Sequence, residues 1–195
     1  MLPVFAAGVD FETTLPAGAA AGQSAFAVPG ASLYLAQGDP VFIAGDDGSA
    51  PEFLGPAVSV GADSIATAFP LRTARAPGAR LWTPEHAYVF PVPPDPPIRR
   101  PVETGVETLV TAGGSAVQTR TASPVMHEQF TVRGLTRAAW EALLVWLESA
   151  TDWGLYPFLY VDANRVVRTA RLTATPVLQA ETAPNLFSVT FTLLL

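Results

Sequence analysis

The chain contains neither cysteine nor lysine. Without cysteine it has no disulfide, no thiolate zinc site and no sulfur nucleophile. Without lysine it has no Schiff-base amine and no lysine to cradle a phosphate. All eleven basic residues are arginine. Two explanations stand side by side: a GC-rich genome, because lysine codons are A-rich, and the better fit of arginine to packed interfaces. Charge of either sign is scarce, at 14% of 195 residues, where about a quarter is typical. Such a chain has a core large for its size, or apolar surface that partners cover. The net charge is −6, and Arg99 and Arg100 form the one basic cluster. That argues against binding nucleic acid by neutralising its backbone.

Long apolar runs are also missing. No stretch approaches the roughly 18 uninterrupted apolar residues of a spanning helix. The N-terminus, Met1-Leu2-Pro3-Val4-Phe5, has no basic region before an apolar run, and Asp10 and Glu12 follow early. It does not read as a signal peptide. The expectation is a soluble protein made in the cytoplasm. Histidine is limited to His86 and His127, beside Glu85 and Glu128 and without an i+4 partner. Both read as ordinary strand or surface residues rather than metal ligands. Asp46-Asp47-Gly48 lacks the ladder of oxygens of a calcium loop and reads as a hairpin turn. No nucleophile elbow, phosphate loop or dinucleotide fingerprint appears. Gly113-Gly114-Ser115 has no following helix to bind an anion. A pair of catalytic carboxylates can be distant in sequence, but nothing singles one out. The expectation is a protein that is not an enzyme, with no catalytic residue, cofactor or metal.

Proline, by contrast, is abundant: nineteen residues, about twice the usual share. The densest run is Pro91-Val-Pro-Pro-Asp-Pro-Pro97, then Ile98, Arg99, Arg100 and Pro101. It suits neither a helix nor a central strand and favours extended polyproline geometry. We place a boundary there: a β-rich accessory module over residues 1–93, a Pro-rich linker over 94–101, and an α+β domain over 102–195.

The first module reads as short strands with turns between. Pro40-Val-Phe-Ile-Ala44 is a strand, Gly45-Asp-Asp-Gly-Ser49 a turn, Pro51-Glu-Phe-Leu-Gly55 returns, and Ala57-Val-Ser-Val-Gly61 continues. Ile65-Ala-Thr-Ala-Phe69 and Ala79-Arg-Leu-Trp82 follow. Strands this short and closely spaced indicate a small barrel or sandwich. Gly18-Ala-Ala-Ala-Gly22 reads as a loop.

The second module has one main helix. Thr136 is its predicted N-cap, Leu135 and Trp140 a hydrophobic staple, and Gly154 its stop. Trp140, Leu143, Leu144 and Leu147 form one apolar stripe, which Val145 and Trp146 widen. A hairpin is predicted over residues 106–121, and a strand over 126–133 leads into the helix. Residues 155–161 and 166–175 form strands about the turn Asp162-Ala-Asn-Arg165. In the last strand Phe187, Val189, Phe191, Leu193 and Leu195 alternate with Ser188, Thr190, Thr192 and Leu194, which buries the first set. The fold class is therefore mostly β with one main helix: an N-terminal barrel or sandwich and a C-terminal sandwich flanked by a helix.

Aromatic residues are the other candidates. Trp82, Tyr88, Trp140, Trp146, Trp153, Tyr156 and Tyr160 suit either core packing or a sugar-stacking platform. Trp153 and Tyr156, just past the helix, divide evenly between core and interface.

The residues Phe130-Thr-Val-Arg133, Trp140-Glu-Ala-Leu-Leu-Val-Trp-Leu147, Asp152-Trp-Gly-Leu-Tyr-Pro-Phe-Leu-Tyr-Val-Asp162, Val167-Arg-Thr-Ala-Arg-Leu172 and Asn185-Leu-Phe-Ser-Val-Thr-Phe191 form a pattern. Over residues 103–195 it resembles the ring-forming domain of distal tail and tail-tube-like proteins of long-tailed bacteriophages. Gly38-Asp-Pro-Val-Phe-Ile43, Glu52-Phe-Leu54 and Pro77-Gly-Ala-Arg-Leu81 are similar to phage accessory modules. Here the β module comes first, whereas the ring domain commonly does in that family. The resemblance implies a virion structural protein, a hexameric ring at the distal tail or baseplate that joins tube to hub. Its partners would be copies of itself and adjacent tail proteins, with DNA only passing through, no membrane contact, and assembly in the host cytoplasm. Trp153, Tyr156, Arg99 and Arg100 would lie at interfaces. An acidic balance suits a channel that passes DNA without gripping it, if acidic residues line it. Alternatives are a tail-tube, neck or minor tail protein, a carbohydrate-binding β-sandwich, and, least favoured, a hydrolase.

Overall fold

A computed structural model of the chain describes residues 2–99, 102–103, 106–110, 116–120, 125–153, 155–174, 176–180 and 185–195. The fold is mostly β, 48% strand, with one main helix. Its sheets form a sandwich-like arrangement in which one sheet curls into a half-barrel.

Strand β1 (Val4–Ala7) opens the chain and belongs to the larger sheet. Six strands then build a smaller one: β2 (Phe11–Thr14), β3 (Ala25–Ala27), β4 (Pro40–Ala44), β5 (Glu52–Val60), β6 (Ser64–Thr67) and β7 (Arg80–Thr83). A one-turn helix, α1 (Ala31–Tyr34), lies between β3 and β4. The spatial order is β2-β7-β4-β5-β6-β3. The chain returns with β8 (His86–Val89), β9 (Asp95–Arg99) and β10 (Val102–Glu103), then makes a separate hairpin, β11 (Val106–Val110) with β12 (Ala116–Arg120). Strand β13 (Val125–Thr136) runs straight into α2 (Arg137–Thr151). Four strands follow: β14 (Phe158–Val161), β15 (Val167–Leu172), β16 (Val177–Ala180) and β17 (Leu186–Leu194). The larger sheet follows the path β10-β13-β17-β15-β14-β1-β8. Strand β9 shares an edge of β13 with β10, and β16 shares an edge of β17 with β15.

The two sheets do not part at the proline-rich run. Strands β1 and β8 come from the first ninety residues, yet they pair with each other and, through β14, join the C-terminal strands. The run itself is extended, but it lies along β13 rather than as a free spacer. It touches β13 at Gln129↔Arg99 and Thr131↔Asp95. A strand this rich in proline donates few hydrogen bonds and therefore sits at an edge. An ion pair at 2.8 Å between Arg133 Nε and Asp95 Oδ2 ties it down.

Alternation in β17 holds at its centre, where Val189, Phe191 and Leu193 are buried and the residues between them half-buried, whereas Phe187 and Leu195, at its ends and also predicted to be buried, are half-buried. Thr136 caps α2 with its Oγ1, which accepts from Ala139 N–H at 3.2 Å. Gly134, at φ 72°, sits where the β13–β17 register shifts between Val132 and Leu135. The bulge turns β13 toward the helix. In the smaller sheet the predicted return and its continuation past Gly55 form one strand, β5, with a bulge where Gly55 adopts φ 82°. A Cβ there would lie 2.6 Å from the Phe69 ring, so only glycine fits. The helix stripe is rotated from the predicted one. Leu143, Trp146 and Leu147 are buried, Trp140 and Leu144 half-buried, and Val145 is exposed.

Phe5 on β1 is the centre of the main core. Its ring lies 4.8–5.4 Å from those of Phe158, Phe90, Trp146 and Phe191. Most of these pairs are edge-on or tilted, the arrangements that aromatic quadrupoles favour. Val4 and Ala6 point the other way and pack with Phe42 and Phe53 of the smaller sheet and Val161 of β14. Strand β1 is thus buried on both faces. Its sequence, Val-Phe-Ala-Ala, accordingly lacks the alternation of a half-exposed strand.

Two outcomes test this packing. Phe5→Ala should destabilise the fold by about 3–5 kcal/mol in urea titration, since it opens a cavity at the aromatic centre. Tyr88 is buried in the same core, and its hydroxyl donates to Ala139 O at 3.0 Å. Burial pushes its pKa up from 10.0 to about 12. The stability it contributes is complete below pH 10 and is lost as pH rises toward 12, because the unfolded phenol ionises first. Tyr88→Phe should lack this part of the alkaline decline in denaturant titrations run at successive pH values.

Candidate assembly surface

The end of α2 presents an unusual surface. Asp152 and Trp153 both adopt left-handed backbone, at φ 45° and 56°, with no glycine between them. Such positions cost about 1 kcal/mol or more each and persist when the surroundings fix them. Here the N–H groups of both residues donate to Leu147 O, and Tyr156 N–H donates to Thr151 O. The turn holds three large side chains out in solvent: Trp153, 47% exposed, Leu155, 61%, and Tyr156, 57%. These two aromatics are therefore surface groups brought together on one turn. The predicted stop, Gly154, lies outside the described residues, and the left-handed C-cap is Asp152.

The charge at this end runs against the helix. Glu148 and Asp152 are exposed there, and the last turn of α2 carries no basic residue. The C-terminus of a helix is its negative pole, so acidic groups there repel it. Val145, Glu148, Ser149 and Asp152 are spaced i, i+3, i+4 and i+7 on the outer ridge and all are exposed.

At the far end of β14 the chain turns through Asp162-Ala-Asn-Arg165. Asp162 Oδ1 accepts from the N–H groups of Asn164 and Val166 at 2.8 and 3.0 Å. Arg165, at φ 64°, reaches across to the smaller sheet. Its Nη2 donates to Glu52 Oε1 at 3.2 Å, Phe53 O at 3.1 Å and Pro70 O at 3.0 Å, and its guanidinium lies 4.7 Å from the Phe69 ring centre. Buried Glu52 also accepts from Arg72 N–H at 2.7 Å and lies 3.8 Å from Arg75 Nη2. Burial first, and then the Arg72 charge, hold the Arg165 pKa below its usual value. Beside this cluster is a groove of about 330 Å³ lined by Leu2, Val4, Pro40, Phe53, Phe69 and Val89.

The other predicted site residues lie elsewhere. Arg99, on β9, lines a polar pocket of about 350 Å³ with Asp95, Gln129 and Arg133. Arg100 lies outside the described residues. Tyr88, Trp146 and Tyr160 are core residues, and half-buried Trp82 stacks on Phe42 at 5.5 Å between ring centres. His86 is 3.7 Å from Glu85 Oε1 on the surface. Buried Glu128 accepts from Tyr160 O–H at 2.6 Å and lies 3.5 Å from Arg168 Nη1. Among the described residues no three His, Asp or Glu side chains cluster as metal ligands, and no helix is long and apolar enough to cross a membrane. The groove, Leu155 and the Arg165 lock were not identified from sequence. The acidic end of an otherwise amphipathic helix was the available signal.

No family model and no curated protein matches the chain.

Arg165→Ala should lower stability by about 3 kcal/mol in denaturant titration, because buried Glu52 loses a charged partner. Adding Glu52→Gln to that variant should cost less than the sum of the two single changes, as their coupling requires.

Proposed function

We propose that the chain is the repeating subunit of a symmetric structural assembly. With the sequence resemblance, this reads as a bacteriophage virion protein, a ring at the distal tail or baseplate connecting tail tube to hub. The observation that carries the reading is the exposed turn of Trp153, Leu155 and Tyr156. Large apolar and aromatic groups exposed together on one surface are the usual anchors of an interface. The scarcity of charge supports the same reading. A tail-tube, neck or minor tail position would use the same surface.

A second reading, a carbohydrate-binding β-sandwich, is favoured by the exposure of the same two rings, which could stack on a sugar. It differs in needing no second copy.

Light scattering over a range of concentrations separates these readings. The assembly reading predicts a closed hexamer, or a ladder of rings. It also predicts that Trp153→Ala and Tyr156→Ala each weaken association by about 2 kcal/mol or more. A protein that stays monomeric and binds glycan would establish the second reading instead. Unaltered assembly in both variants would remove this turn from the interface.

A further inference from the structure

The groove and the aromatic turn lie at opposite ends of β14. Val4, which lines the groove, pairs with Val161 at the strand's C-terminal end, whereas Tyr156 comes two residues before its N-terminal end. One copy cannot easily bring its own turn to its own groove along a straight strand. A neighbouring copy can.

Their chemistries match. The groove is apolar, and two of its lining residues are tied to a cluster rich in arginine. Phe53 O accepts from Arg165, and Phe69 lies beneath its guanidinium. Arg75 and Arg165 share one buried carboxylate, Glu52, which also accepts from the backbone N–H of Arg72, and the Arg72 side chain is exposed, so it is the cation open to a partner. Asp39, half-buried beside the groove, accepts from the N–H of Ala36 at 2.8 Å. The turn is apolar too, and it is framed by Glu148, Asp152 and the negative pole of α2. Those acidic groups are unfavourable where they stand in a single copy. A positive surface brought against them would relieve that conflict. Leu33 and Tyr34 are also exposed, but they sit on α1, which has no charged residue and so offers nothing to an arginine rim.

We propose that Trp153, Leu155 and Tyr156 of one copy insert into the groove lined by Val4, Phe53, Phe69 and Val89 of the next, with Glu148 and Asp152 facing the exposed Arg72. This rests on the assembly reading and specifies its contact. The contact joins two different surfaces, so it is heterologous and propagates around a ring.

The absence of native cysteine allows a direct test. Leu155→Cys and Val89→Cys place single thiols on the turn and at the groove, both at exposed positions. The two variants, distinguished by mass tags, are mixed and oxidised, and unmodified protein is weighed by light scattering in parallel. The expected result is a heterotypic disulfide as the main cross-linked product, which competes out when unmodified protein is added. Assembly of the unmodified chain without that product, or with Leu155→Cys linked mainly to itself, would overturn this contact and leave the assembly reading standing. A chain that neither assembles nor cross-links at high concentration would overturn both.

Discussion

The two-sided burial of β1 is the constraint on which the rest of the structure depends. Four residues near the start of the chain are the inner layer for both halves. Phe5 completes the aromatic core beneath α2, and Val4 and Ala6 receive the smaller sheet through Phe42 and Phe53. Val161, Leu159 and Val167 extend the same apolar contact between the sheets. Arg165 and Glu52 then lock their relative position at one edge. A buried ion pair of this kind contributes little net stability, but it penalises any arrangement that separates the partners. Apolar burial holds the sheets together, and the buried charge fixes how they meet.

How much of this was legible varies with the locality of the signal. The cap at Thr136, the alternation of β17 and the turn at Asp46-Asp47-Gly48 depend on neighbours in the chain, and the sequence shows them. The fold class followed from them. Strand β1 carries no such local signal. A strand buried on both faces has no alternation, and four apolar residues are too short to separate a strand from a coil. The proline-rich run was read as a spacer because its pattern describes backbone geometry but not what lies alongside. For Trp153 and Tyr156 sequence left core and surface equally open. Their exposure depends on a left-handed turn built without glycine at Asp152 and Trp153, which propensity disfavours.

The same turn illustrates a wider point. Two backbone positions with positive φ, two acidic groups at a negative helix pole and three exposed apolar side chains all depart from what stability alone would select. Departures of this kind concentrate where a protein meets something else. The opposite surface, an apolar groove near the exposed Arg72, has the complementary character. The turn is strained in a single copy, and the groove leaves apolar surface open. An assembly formed through them would gain specificity from the charges and affinity from the aromatic groups.

The most direct test of the central claim, that this chain is built to assemble with itself, is electron microscopy of the purified protein with two-dimensional classification of the particles. The account predicts closed rings with a central channel and a single dominant copy number. A field of dispersed single-chain particles at concentrations well above those that populate specific complexes would contradict it.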